Sequence, residues 1–211
     1  MLTVAEHVPH RLRPPLRDAW NRLRHGPEAP RYAERLWVRP GEVEERVSTS
    51  RRLWTGRVVA GDWDLERAPL DTMPKVQACI ERWELGRDWE ATGVYATMQR
   101  LIEERGRPKD GCADLGDVVR RYERLDAIFE RVRSEGRLRT RAELGDGFRE
   151  LGGVLINVDR HGRPVAGGGG WHRLAMARIL ALPVMPAQVG LVHRDALPGW
   201  RERFTRSAAP S

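Results

Sequence analysis

The run from Val154 to Leu180 permits few local structures. Val154-Leu155-Ile156-Asn157-Val158-Asp159 reads as a short apolar strand, Arg160-His161-Gly162-Arg163-Pro164 as a tight turn, and Val165-Ala166 as a second brief strand. Gly167-Gly168-Gly169-Gly170 then leads into an expected amphipathic helix, Trp171 to Leu180, whose first turn carries His172 and Arg173. Consecutive glycines leave the backbone free and let a ligand approach the main chain with no Cβ in the way. The helix start adds unpaired N–H groups and a partial positive charge, which favour an anion. The combination predicts a phosphate site at Gly168, Gly169, Gly170, Trp171, His172 and Arg173. On glycine count alone, a flexible turn before an ordinary surface helix fits as well.

A second stretch with chemistry is Gly61-Asp62-Trp63-Asp64. In an extended segment residues two apart share a side, so Asp62 and Asp64 are expected to converge while Trp63 packs the other way. Such a pair can hold Mg²⁺ beside phosphates or act as a general base. The alternative is a polar turn in which the aspartates cap neighbouring backbone groups.

The remaining chain reads as mixed. The first 50 residues are broken by Pro9, Pro14, Pro15, Pro27, Pro30 and Pro40 and look like a helix around Leu16 to Leu23 followed by an extended arm, with Leu36-Trp37-Val38 as a short strand. From Met73 the pattern turns helical: Val76, Ile80 and Trp83 share a face, then Met98, Leu101 and Ile102. The clearest stripe is Leu115, Val118, Val119, Tyr122, Leu125, Phe129 and Val132, with Arg120, Arg121, Glu123, Arg124, Glu130 and Arg131 on a solvated face. Thr140-Arg141-Ala142-Glu143 fits a capping box for one more short helix.

Pro183 to Val192 reads as a strand that delivers His193 and Arg194 to its end, where both are expected to reach the same anion as Arg173; a C-terminal surface cluster is the alternative. The expected class is α+β. Its parts are an arm over 1–50, a mainly helical region over 51–145, a small mixed sheet over 146–205 and a disordered tail over 206–211.

Composition narrows the function. The chain has 211 residues, a net charge of +7 and a pI near 10.3, and only Lys75 and Lys109 are lysines. An arginine-rich surface suits an anionic partner, nucleic acid included, although a coding bias toward arginine gives the same excess. No apolar run is long enough to span a bilayer and no secretion signal is recognisable, so no membrane partner and a cytoplasmic protein are expected. Cys79 and Cys112 lack zinc-ligand spacing and read as reduced, structural cysteines.

Gly170-Trp171-His172-Arg173-Leu174-Ala175-Met176-Ala177, with Leu180 to Val189 after it, resembles the Gly-x-His-Arg box of the ParB/sulfiredoxin-like superfamily, closest to prokaryotic proteins with a ParB-like nuclease-type domain. The resemblance covers about the last 60 residues well and the middle more loosely. The Gly-Asp-Trp-Asp tetrapeptide and the Gly-Arg-Asp-Trp-Glu-x-Thr run at 86–92 are similar to stretches of the same family. The resemblance implies a ParB/sulfiredoxin-like core whose box holds the phosphates of ATP or CTP. Trp171 stands where sulfiredoxin has its reactive cysteine, so sulfinic acid reduction is not expected. Gly169 stands where many relatives have an acidic residue.

Together these readings predict a nucleotide- or phosphate-binding protein acting as a phosphotransferase or NTP hydrolase. In it Arg173 and the glycines hold phosphates, His172 orients or exchanges a proton, and Asp62 or Asp64 binds Mg²⁺ or activates the acceptor. A nucleotide-responsive DNA- or protein-binding module and a nuclease are the alternatives. Oligomeric state has no signature in the sequence.

Overall fold

The computed structural model describes residues 13–47, 55–145 and 148–205. The expected tail over 206–211, the first dozen residues and Trp54 lie outside them. The strands are β1 (Arg35–Val38), β2 (Glu45–Val47), β3 (Arg57–Val59), β4 (Arg67–Pro69), β5 (Val154–Val158), β6 (Pro164–Ala166) and β7 (Met185–His193). The helices are α1 (Arg13–His25), α2 (Pro74–Trp83), α3 (Val94–Arg105), α4 (Leu115–Glu135) and α5 (Trp171–Ile179). The protein is thus α+β, with a mixed sheet. No helix among the described residues is long and apolar enough to cross a membrane.

β5 and β7 pair in parallel at the centre and are buried along their whole length, which explains why β5 reads as a nearly continuous apolar run rather than an alternating one. β6 lies antiparallel on β5. On the other side of β7, β1 pairs antiparallel with its first half and β3 parallel with its end. β2 joins β6 at Arg46↔Ala166 and carries β4 at the edge. The short strand expected at Leu36-Trp37-Val38 forms as β1, and β2 joins the same sheet further along, with Val38 and Val47 buried in the core and Val43 buried between the two strands.

α5 also differs from expectation. Leu174, Ala175, Met176 and Ala177 are all buried, because α5 packs on β5 with one side and on α2 and α4 with others. It is a core helix, not an amphipathic surface helix. The aromatic residues of the middle region pack as a core cluster: Trp83 stacks on Phe129 at 4.5 Å and Trp89 leans on Tyr122 at 4.8 Å. The Thr140 capping box forms, with Thr140 N–H donating to Glu143 Oε2 at 2.7 Å and Glu143 N–H to Thr140 Oγ1 at 3.3 Å. Among the described residues a turn follows it, not a helix.

Candidate functional site

The glycine run is needed at two positions for packing and at a third for something else. Gly170 caps α5 with φ +78°, and a Cβ there would lie 2.6 Å from Val154 Cα. A Cβ at Gly167 would lie 2.9 Å from the Leu155 side chain. Both glycines are required because the loop crosses β5 at close range, with Gly167 N–H bonded to Leu155 O and Leu155 N–H to Gly169 O. Gly169 is different: its Cβ would meet only Leu155 Cβ at 3.8 Å, an ordinary contact. Gly169 also lines a cleft.

That cleft has a volume of about 500 Å³ and is bounded by Gly168, Gly169 and Gly170, the first turn of α5, one stripe of α4, and the turn at Arg141–Leu144. Among the described residues its cationic side chains are Lys75, Arg121, Arg131, Arg141 and Arg173, and its one carboxylate is Asp110. α5 has no side-chain N-cap, so the amides of its first turn point at the cleft without an intrahelical acceptor. The remaining wall is apolar, formed by Leu125, Ile128, Leu144, Trp171 and Met176.

Electrostatics in the cleft are strongly biased. Asp110 accepts from Lys75 and, at 3.0 Å, from Lys109, so the chain's only two lysines converge on one carboxylate. Burial pushes the Asp110 carboxyl up, but those lysines outweigh it and hold its pKa at about 2. Arg173 donates to Gly152 O; its pKa is lowered by burial and by neighbouring Arg141, with Glu150 opposing. Two guanidinium groups close enough to disfavour each other's charge make a site that an anion would relieve.

His172 lies against this cleft, 9 % exposed. Its ring is edge-on to Tyr122, and Nε2 has no hydrogen-bond partner among the described residues. Burial, then Lys75 and Arg121, lowers its pKa to about 3, so the imidazole is neutral at physiological pH. A neutral Nε2–H facing a phosphate oxygen would satisfy it.

The structure does not bring Asp62, Asp64, His193 or Arg194 to the glycine loop. The loop crosses the start of β5, whereas those residues sit at or beyond the far ends of β5 and β7, about five residues and roughly 16 Å further along the strands. Nor do Asp62 and Asp64 lie in an extended segment; they fall in a turn closed by Leu65 N–H to Asp62 O. Asp64 is fully buried and takes Arg160 Nε at 3.0 Å, Arg160 Nη2 at 2.7 Å and the Arg160 backbone N–H at 3.0 Å. Burial raises the Asp64 pKa, but these bonds prevail and hold it at about 2. Asp62, 76 % exposed, takes Arg160 Nη2 at 2.8 Å.

The expected Mg²⁺ pair thus does not fit the geometry: a cation at these carboxylates would have to displace the guanidinium already between them. No group of three His, Cys, Asp or Glu side chains among the described residues is placed to hold a metal ion.

His193 is buried, with Nε2 2.9 Å from Gly61 O and Nδ1 accepting from Asp195 N–H, so it ties the end of β7 to the turn before Asp62. Arg194 faces a different groove, beside α1. Arg201, near buried Trp200, is held by Glu28 and Glu34.

Sequence reasoning missed Lys75, Asp110, Arg121, Arg131 and Arg141. One signal was available: Arg121, Leu125, Ile128 and Arg131 follow the three-and-four spacing of a single helical stripe, adjacent to the buried one. Set against family models, curated proteins and solved structures, the chain gives no match, so the reading of this cleft rests on its own chemistry.

Proposed function

We propose that the protein binds a nucleotide in the cleft between the glycine loop, α5 and α4. The carrying observation is the meeting of an uncapped α5 N-terminus and an open Gly169 with, among the described residues, five cationic side chains and a single, already neutralised carboxylate. Phosphates would lie on the loop amides, Arg173 and Arg131, with a nucleobase against Trp171, Ile128 and Leu144. The cleft volume suits a small ligand of this size. The likeness of Gly170-Trp171-His172-Arg173 to the Gly-x-His-Arg box of the ParB/sulfiredoxin-like superfamily supports the same reading and favours ATP or CTP.

Binding is better supported than phosphoryl transfer. Amides and arginines are groups that hold and neutralise phosphate. A general base is another matter: Asp110, held at about 2 and bonded to two lysines, is a poor proton acceptor. The test is a thermal-shift panel of ATP, ADP, CTP and GTP, with and without Mg²⁺, on wild type and Arg173→Ala. A ligand that binds the folded state raises Tm by mass action. The expected result is a rise for one nucleotide that Arg173→Ala abolishes. No rise with any nucleotide, or an equal rise in the variant, would overturn the reading.

A further inference from the structure

A second cationic groove lies between α1, β3 and the residue after β7, and the nucleotide reading does not use it. Its volume is about 380 Å³, and its walls come from three elements: Arg17, Trp20, Arg24 and His25 of α1, Arg57 of β3, and Arg194 just after β7. Among the described residues no carboxylate lines it. The basic groups crowd one another: beyond burial, Arg57 lowers the pKa of Arg17, with Tyr32 and Asp18 opposing, and Arg24 and Arg194 lower that of His25.

The walls are fixed in place. Asn21 donates to Pro30 O at 2.8 Å and to Gly56 O at 2.7 Å, and Arg17 Nη2 to Thr55 O at 2.9 Å, clamping α1 to the start of β3. Trp20 is nevertheless 60 % exposed, an unusual position for an indole.

We propose that this groove binds single-stranded nucleic acid, with a base stacked on Trp20 and successive phosphates on Arg17, Arg24, Arg57 and Arg194. An exposed aromatic platform beside a track of arginines is the arrangement that holds unpaired strands, because every base has a π-face and every linkage a charge. Guanidinium forks match phosphate oxygens two at a time, which suits arginine over lysine here. A lipid surface would favour a convex apolar face; Trp20 instead lines a concavity ringed by charge.

The test is fluorescence anisotropy of a labelled oligothymidylate of about a dozen nucleotides, titrated with the full chain at several salt concentrations. Trp20→Ala is expected to weaken binding roughly tenfold or more with unchanged Tm, since the ring is largely exposed. Arg24→Gln with Arg194→Gln should reduce the slope of log K against log salt by about 1.4, two phosphate contacts' worth. Hybridising the strand to its complement should weaken binding, because paired bases cannot stack on the indole.

Wild-type affinity in Trp20→Ala, equal binding of the duplex, or partition onto phosphatidylserine vesicles without oligonucleotide binding would overturn the proposal. So would loss of binding confined to Arg131→Gln with Arg173→Gln, which would assign the strand to the other cleft.

Discussion

The His172 imidazole stands edge-on to the Tyr122 ring, with centroids 5.7 Å apart and planes at 88°. α5 delivers the histidine and α4 the tyrosine, so the contact joins the glycine-loop helix to the helix that forms the opposite wall of the cleft. Both rings are buried, and burial pushes the tyrosine hydroxyl's pKa up as it lowers the imidazole's.

This contact gives the fold an acid-sensitive point. The His172 pKa falls from 6.5 to about 3, so the unfolded chain binds a proton there at pH values where the folded one does not. Its contribution to stability is fully present above pH 6.5 and is lost as pH falls from there toward 3, at about 1.4 kcal/mol per pH unit. His172→Phe keeps the ring contact and removes the orphaned nitrogen. Denaturant midpoints measured from pH 7 to 4 should fall less steeply in the variant, while nucleotide affinity drops.

Two glycine substitutions separate packing from binding. Gly170→Ala puts a Cβ 2.6 Å from Val154 Cα at φ +78° and should cost several kcal/mol or prevent folding. Gly169→Ala meets no close neighbour and should keep Tm within a few degrees, yet fill the cleft and weaken the ligand at least severalfold. Calorimetric Tm and nucleotide titration on both variants check this contrast.

Asp110→Asn should trade a little stability for affinity. Asp110 has φ +52°, a conformation asparagine accepts well. Losing the bonds to Lys75 and Lys109 should cost about 1 kcal/mol. Releasing both ammonium groups should tighten phosphate binding severalfold at low salt, an effect that fades as salt is raised. A titration at two ionic strengths reads it.

The two aspartates near Arg160 should behave unequally. Asp64→Asn takes a charge from a fully buried site and leaves the guanidinium half-satisfied, with an expected loss of about 3 kcal/mol. Asp64 contributes stability above its ordinary pKa of 3.8 that is lost as pH falls through about 2, so the variant should lack that acid-limb loss. Asp62→Asn, largely exposed, should change stability by less than about 0.5 kcal/mol and leave nucleotide binding intact. Urea denaturation and thermal shift distinguish the pair.

Local patterns carried much of the fold. The apolar runs at 154–158 and 185–193, the glycine loop, the α4 stripe and the Thr140 box all take the local form their residues favour, because each is decided within a few residues. What escaped the sequence was long-range. Glu45–Val47 is short, and only pairing with β6 and β4 makes it a strand of the central sheet. Asp62 and Asp64 look equivalent until Arg160, nearly a hundred residues later in the chain, reaches back to separate one as buried and one as exposed.

The candidate site divides the same way. Its backbone half, glycines and helix start, is contiguous and therefore legible. Its cationic half is gathered from α2, α4 and the turn after it, and solvated arginines in sequence look the same as converging ones. His193 was misplaced because the strand end that carries it is opposite the loop, a consequence of the parallel β5–β7 register.

The most direct measurement is isothermal titration with inorganic tripolyphosphate, which carries the phosphate charge without a base. The wild type, Arg131→Gln with Arg173→Gln, and Arg24→Gln with Arg194→Gln would be compared. The account predicts a site whose affinity falls about tenfold or more when the cleft arginines are changed and stays near wild type when the α1 groove arginines are changed. Unchanged affinity in the cleft variant, or a loss confined to the groove variant, would contradict a phosphate site at the glycine loop.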